Sequence, residues 1–205
     1  VLERGADEED GIAEGGRGWK LRRGGRPIVL TRTSGEKHLS FVEGVAVEPA
    51  RLPEFVAEFR QVLEENGTLA SFYGHAGPGC LHIRPLVNTK TVEGVEQMQS
   101  IADAVAALAA EYGGTISGEH GNGRARTAYS RELYGQQVWE LFRRLKRAFD
   151  SDWLLNPGQV CGYRPDERRP AGVPERATVV GLTENLRFSP DYEARLGFEP
   201  ALHWE

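Results

Sequence analysis

The sequence predicts an α+β protein: a ferredoxin-like (split βαβ) antiparallel sheet with its helices on one face, then a C-terminal helix and an extended tail. Two observations carry this. From residue 41 the apolar spacing changes period in the order strand, helix, strand, strand, helix, strand. Clusters of Gly, Pro and Asn punctuate each change.

Residues 1–27 are charged and Gly-rich with little apolar periodicity, and read as a flexible arm or a remnant that packs on another domain. Residues 28–31 (IVLT) are a short strand candidate, and the Val-rich 41–47 a stronger one. Leu52, Phe55, Val56, Phe59, Val62 and Leu63 recur at helical spacing. Pro53 stands in the first turn, where its missing N–H costs nothing, and Asn66-Gly67 supplies the stop. Residues 68–74 and 81–87 read as strands joined by a tight Gly/Pro connection. Val95, Met98, Ile101, Ala102, Val105, Leu108 and Tyr112 form one helical stripe that Gly113-Gly114 ends. Residues 115–117 follow as a short fourth strand, then a Gly-rich turn. A last helix runs from about Gln136 to Phe149, with Val138, Leu141, Phe142, Leu145 and Phe149 expected inward. The organisation is therefore an arm (1–27), a folded unit (28–164) and an extended tail or linker (165–205).

Composition narrows the function. The 205 residues carry a net charge of −5, which argues against nucleic acid as the main partner. No apolar run approaches the roughly 18 residues of a membrane span, and the acidic, Gly-rich start is unlike a signal peptide. Two cysteines, Cys80 and Cys161, can form neither a disulfide framework nor an iron–sulfur site, which takes about four thiolates, so a reducing cytoplasm is expected. The Gly-rich stretches at 15–18 and 24–26 lack the flanking strand and helix of a phosphate-cradling loop.

The predicted topology brings four ionisable residues together. His75 ends the second strand, His82 begins the third, and Glu119 and His120 follow the fourth, all at one edge of the sheet. Two imidazoles and a carboxylate can hold a divalent cation with positions open for substrate or water. Ordinary surface histidines are the competing reading of that spacing. Gly74, Gly77, Gly79, Gly118, Gly121 and Gly123 crowd both turns, which suggests a backbone that needs unusual dihedrals or must let a ligand come close; tight turns alone would explain some of them but hardly all six. Arg84 and Arg126 are either carboxylate-binding groups or solvated surface arginines.

Gly74-His75-Ala76-Gly77-Pro78-Gly79-Cys80-Leu81-His82, Ser117-Gly118-Glu119-His120-Gly121-Asn122-Gly123 and Leu155-Asn156-Pro157-Gly158 stand in order. Together they resemble the C-terminal domain of the FAD-linked oxidases of the D-lactate dehydrogenase, glycolate oxidase flavin subunit and D-2-hydroxyglutarate dehydrogenase type. The stretches 80–85, 123–126 and 183–187 resemble the long forms that continue into an iron–sulfur module. The resemblance implies a cap over a flavin bound by a preceding domain, with His75, His82 and Glu119 as divalent-metal ligands (Zn, Mn or Fe) and His120 as the base. Asn156 would lie near flavin and substrate. A D-2-hydroxy acid would be oxidised to the 2-oxo acid as FAD is reduced. Electrons would leave to a quinone, a flavoprotein or an iron–sulfur carrier, in the cytoplasm or peripherally at the inner membrane face. The chain would be a fragment, inactive without the flavin domain of its parent. Pro78, Cys80 and Asn122 depart from the family's usual residues, and Cys80 is either a further ligand or a small packed side chain. A non-catalytic metal-binding domain and a metal-free ferredoxin-like interaction module are the alternatives.

Overall fold

The computed structural model describes residues 35–179 and 181–183, with Gly16, Lys20 and Gly24 besides. The arm, the strand expected at 28–31 and residues 184–187 lie outside the described residues, those three positions apart.

Strands β1 (Lys37–His38), β2 (Val42–Ala46), β3 (Ala70–His75) and β4 (Cys80–Val87) form one antiparallel sheet. β4 is its centre. It pairs with β1 and β2 on one side and with β3 on the other, so Glu43 and Tyr73 flank His82 across the ladders. The register shifts between Glu43 and Val45, at a bulge. The fourth strand expected at 115–117 does not form. One antiparallel bridge, Ala46 with Thr115, replaces it, because glycines at 113, 114 and 118 bracket a segment too short for a ladder.

Helices α1 (Leu52–Glu65) and α2 (Val92–Glu111) cover one sheet face. Phe55, Phe59 and Leu63 of α1 meet Met98, Ile101, Val105 and Ala109 of α2 over Val42, Val45, Leu81, Ile83 and Val87. Both helical stripes therefore face inward as their periodicity requires. Asn66 and Gly67 end α1 as expected, and the Thr91 hydroxyl caps α2 by accepting from the Gly94 amide at 3.1 Å.

Beyond the short helix α3 (Gly123–Arg126) lies α4 (Ser130–Phe149), broken at Gly135 (φ 76°, ψ 160°). Its second half is the helix expected from Gln136, but the expected inward face is wrong. Leu141, Leu145 and Phe149 are 54%, 60% and 85% exposed, and Val138 is exposed too. Phe142 alone of that set is partly buried, while Trp139 and Arg143 turn inward. Arg143 lies 4.2 Å from the Tyr163 ring centroid and donates to the Gly162 carbonyl at 3.0 Å, so a cation occupies the place that an apolar stripe claims in the pattern.

The region expected as an extended tail from 165 is folded as far as 179. Trp153, Cys161, Tyr163 and Ala177 make a second small core, with Phe142 and Val173 against it. The amides of Leu154 and Leu155 donate to Asp150 at 2.8 and 2.9 Å, which turns the chain back after α4. Among the described residues no helix is long and apolar enough to cross a membrane.

A candidate metal centre on the open face of the sheet

Successive residues of a strand point to opposite faces. In β4, Leu81, Ile83 and Val87 join the helix-covered core, so Cys80, His82 and Arg84 face the other way. The histidine cluster thus sits on the sheet face opposite the helices, near the β3–β4 turn, rather than along an edge.

Three histidines meet one carboxylate there. His82 Nε2 is 3.0 Å from Glu119 Oε1, His120 Nε2 is 3.2 Å from the same oxygen, and His75 Nε2 is 3.8 Å from Glu119 Oε2. The His82 ring lies 5.4 Å from that of His75 and 5.5 Å from that of His120, between centroids. Two triads have ligand atoms within 4.8 Å of one another: His75, His82 and Glu119, and Glu43, His82 and His120. His82 is buried, whereas His75, Glu119 and His120 are each over a third exposed.

Local structure explains the convergence. The tight turn after β3 sets His75 across from Cys80, so that His82, two residues further along β4, shares its face at the turn end of the hairpin. At Gly79 (φ 73°) a Cβ would fall 1.9 Å from the Val47 carbonyl oxygen, so only glycine closes this turn against β2. The loop bearing Glu119 and His120 is fastened to β2 by the Gly118 amide, which donates to the Gly44 carbonyl at 2.6 Å. A Cβ at Gly118 would sit 2.8 Å from that of Ala46. Gly77, Gly121 and Gly123 have open space instead, so the crowding of all six glycines is not one phenomenon.

Burial pushes the His82 imidazole below its ordinary pKa, outweighing the opposing pull of Glu119 and Glu43. A neutral imidazole keeps a lone pair for a cation. The donor set fits a divalent ion, and His82 Nδ1 is a buried nitrogen without a hydrogen-bond partner.

Glu43 is the residue that sequence reasoning missed. Arg84 Nη2 donates to both of its carboxylate oxygens at 3.0 Å, and the Tyr73 hydroxyl donates to Oε1 at 3.3 Å. Burial alone would raise its carboxyl pKa. Hydrogen bonds from Arg84 and Ser40, with the charges of Arg84 and His82, hold it below the usual value. The available signal was a lone acidic residue inside the apolar run FVEGVAV.

Neither arginine is a solvated surface group. Arg84 is buried against Glu43. Arg126 is buried too, donating to the carbonyls of Gly121 and Glu43 and so tying the Glu119 loop to β2. Asn156 is not brought into the cluster. It lies exposed and left-handed (φ 43°) in the turn after α4. Cys80 is a buried free thiol that belongs to neither triad, and burial, then Glu119, pushes its pKa up.

Comparison with known proteins agrees with these motifs. Residues 5–160 match the family described as FAD linked oxidases, C-terminal domain. The chain is 36% identical over 155 residues to a D-2-hydroxyglutarate dehydrogenase of Pantoea ananatis, covering 76% of this chain and 15% of that protein. It is 41% identical over 144 residues to the Pseudomonas putida enzyme of the same name, covering 70% of this chain and 13% of that one. A D-lactate dehydrogenase of Archaeoglobus fulgidus is 38% identical over 125 residues, covering 60% of this chain and 27% of its own length. The chain thus spans between about an eighth and a quarter of the length of these relatives. It belongs to the FAD-linked oxidase C-terminal domain family.

Proposed function

We propose that the chain supplies the metal-binding and proton-abstracting part of a flavin-dependent dehydrogenase that oxidises a small D-2-hydroxy acid to the 2-oxo acid. The observation that carries this is the convergence of three imidazole Nε2 atoms on Glu119, on a sheet face that the helices leave open. His75, His82 and Glu119 would hold a divalent cation (Zn, Mn or Fe). When bound, that ion supplies Lewis acidity toward the substrate's hydroxyl and carboxylate oxygens. His120 is the proton acceptor: its ring is partly exposed beside buried His82, so substrate can reach it. His120 would take the proton of the substrate hydroxyl, and a flavin bound by its own domain would supply the acceptor for the hydride on the substrate carbon. Glu119 beside His120 Nε2 steadies the resulting imidazolium.

Arg84 and Arg126 work on the site's frame rather than on a substrate carboxylate: Arg84 grips Glu43, and Arg126 holds the Gly121 and Glu43 carbonyls. Asn156 beside flavin and substrate rests on the sequence resemblance. So do the flavin domain, and the iron–sulfur module or other carrier that takes the electrons.

Elemental mass spectrometry of the purified chain tests the centre. About one divalent ion per chain is expected, lost in the His75→Ala/His82→Ala variant; an ion retained by the variant would refute these ligands. In a protein carrying both this chain and its flavin domain, His120→Ala should abolish most substrate-dependent flavin reduction. Near-normal reduction would refute the base.

A further inference from the structure

The centre has a back side that the reaction does not use. All three histidines turn Nε2 toward Glu119, which leaves Nδ1 pointing away. A metal-bound imidazole usually donates its other N–H to a carboxylate or carbonyl, which fixes its tautomer and ring plane. For His82 that nitrogen is buried without a hydrogen-bond partner, and Glu43 Oε1 is 3.4 Å away. Glu43 lies directly across the β2–β4 ladder from His82, so the sheet register itself holds the pair. The carboxylate cannot turn away, because Arg84 Nη2 grips both oxygens and the Tyr73 hydroxyl holds Oε1. Tyr73 is also the neighbour of His82 on the other ladder, with ring centroids 5.1 Å apart.

We infer that Glu43 is a positioning residue of the metal centre: it accepts the Nδ1 proton of His82 and so commits Nε2 to the cation, while Arg84 and Tyr73 anchor it. The inference rests on the reading of His82 as a ligand. Glu43 itself does not touch substrate. It acts through His82, and its second contribution is a fixed negative charge behind the site.

Zinc alone is the probe, titrated into the 205-residue chain against a chromophoric chelator. Glu43→Ala should weaken zinc binding about 10–100-fold with the circular dichroism spectrum unchanged. Glu43→Gln keeps an acceptor oxygen at the same place and should recover most of that loss. Removing Glu43 also frees the Arg84 cation near the site, so Glu43→Ala/Arg84→Met is the control. Weakening that disappears in this double variant would belong to Arg84 and overturn the inference. A long-range nitrogen–proton spectrum of the zinc-loaded unsubstituted chain needs no variant. It should show His82 protonated at Nδ1 and metal-shifted at Nε2; the reverse assignment would overturn the inference. Zinc affinity equal in Glu43→Ala and the unsubstituted chain would overturn the role of Glu43 alone. Failure of the unsubstituted chain to bind zinc would overturn the metal centre as well.

Discussion

The two faces of β4 are equally dry and differently held. All eight residues of the strand are buried. On one face Leu81, Ile83 and Val87 pack beneath α1 and α2, and the stabilisation is removal of apolar area from water. On the other, His82 and Arg84 are held by particular charged partners, Glu43 and Glu119. An apolar face tolerates small losses of volume gradually. A paired polar face does not, because removing one partner strands the other without water. The chemistry lies on the side where each residue depends on a named neighbour.

Breaking the polar face should give the largest effect. Arg84→Met leaves the mostly buried Glu43 carboxylate without its cation, and should cost about 3–5 kcal/mol in urea unfolding. Glu43→Gln/Arg84→Met should recover most of that, since it removes both charges; a simple sum of two losses would show that the pair is not coupled. On the opposite face, the next residue along, Ile83→Val should cost only about 0.5–1.5 kcal/mol. A larger cost there than for Arg84→Met would erase the contrast.

Acid sharpens the comparison further. Asp150 is held at a pKa of about 2 by Lys146, with help from the Leu155 and Leu154 amides. A carboxyl whose folded pKa lies below its unfolded value stabilises above the unfolded value, and that contribution disappears as pH falls through the folded one. Stability should therefore decline between about pH 4 and pH 2, and Asp150→Asn should flatten this limb. Asp150 sits between α4 and the small second core, so the tryptophan fluorescence of Trp153 should respond before far-ultraviolet dichroism does. The smallest effect belongs to the exposed stripe of α4. Leu145→Gln should move stability by no more than about 0.5 kcal/mol in urea unfolding. A large destabilisation would mean that the stripe is packed after all.

The same contrast explains what could be read in advance. Periodicity found α1, α2 and three strands because an apolar face leaves a repeating mark on the sequence. Strand order brings His75 and His82 together through the β3–β4 hairpin, but Glu119 and His120 arrive on a loop fastened by the Ala46–Thr115 bridge rather than at the end of the expected fourth strand. Periodicity failed on α4, where the inward residues are Trp139 and Arg143 and the apolar stripe faces out. It failed beyond 165, where a core of so few residues leaves no period to detect. Glu43 was overlooked for a related reason: it is one acidic position in an apolar strand, and its meaning comes from residues 41 and 39 positions away, Arg84 and His82.

By itself, then, the sequence determined the elements with a period, the glycine turns and the motifs that carry the histidines, all properties of neighbours along the chain. Only the tertiary structure decided that the cluster lies on a sheet face rather than an edge. It also turned both arginines inward and set Glu43 behind His82. Those outcomes depend on register across β2 and β4 and on charge pairing between distant residues. Neither is written in any local pattern, because a one-residue slip in the ladder would send every one of these side chains to the other face.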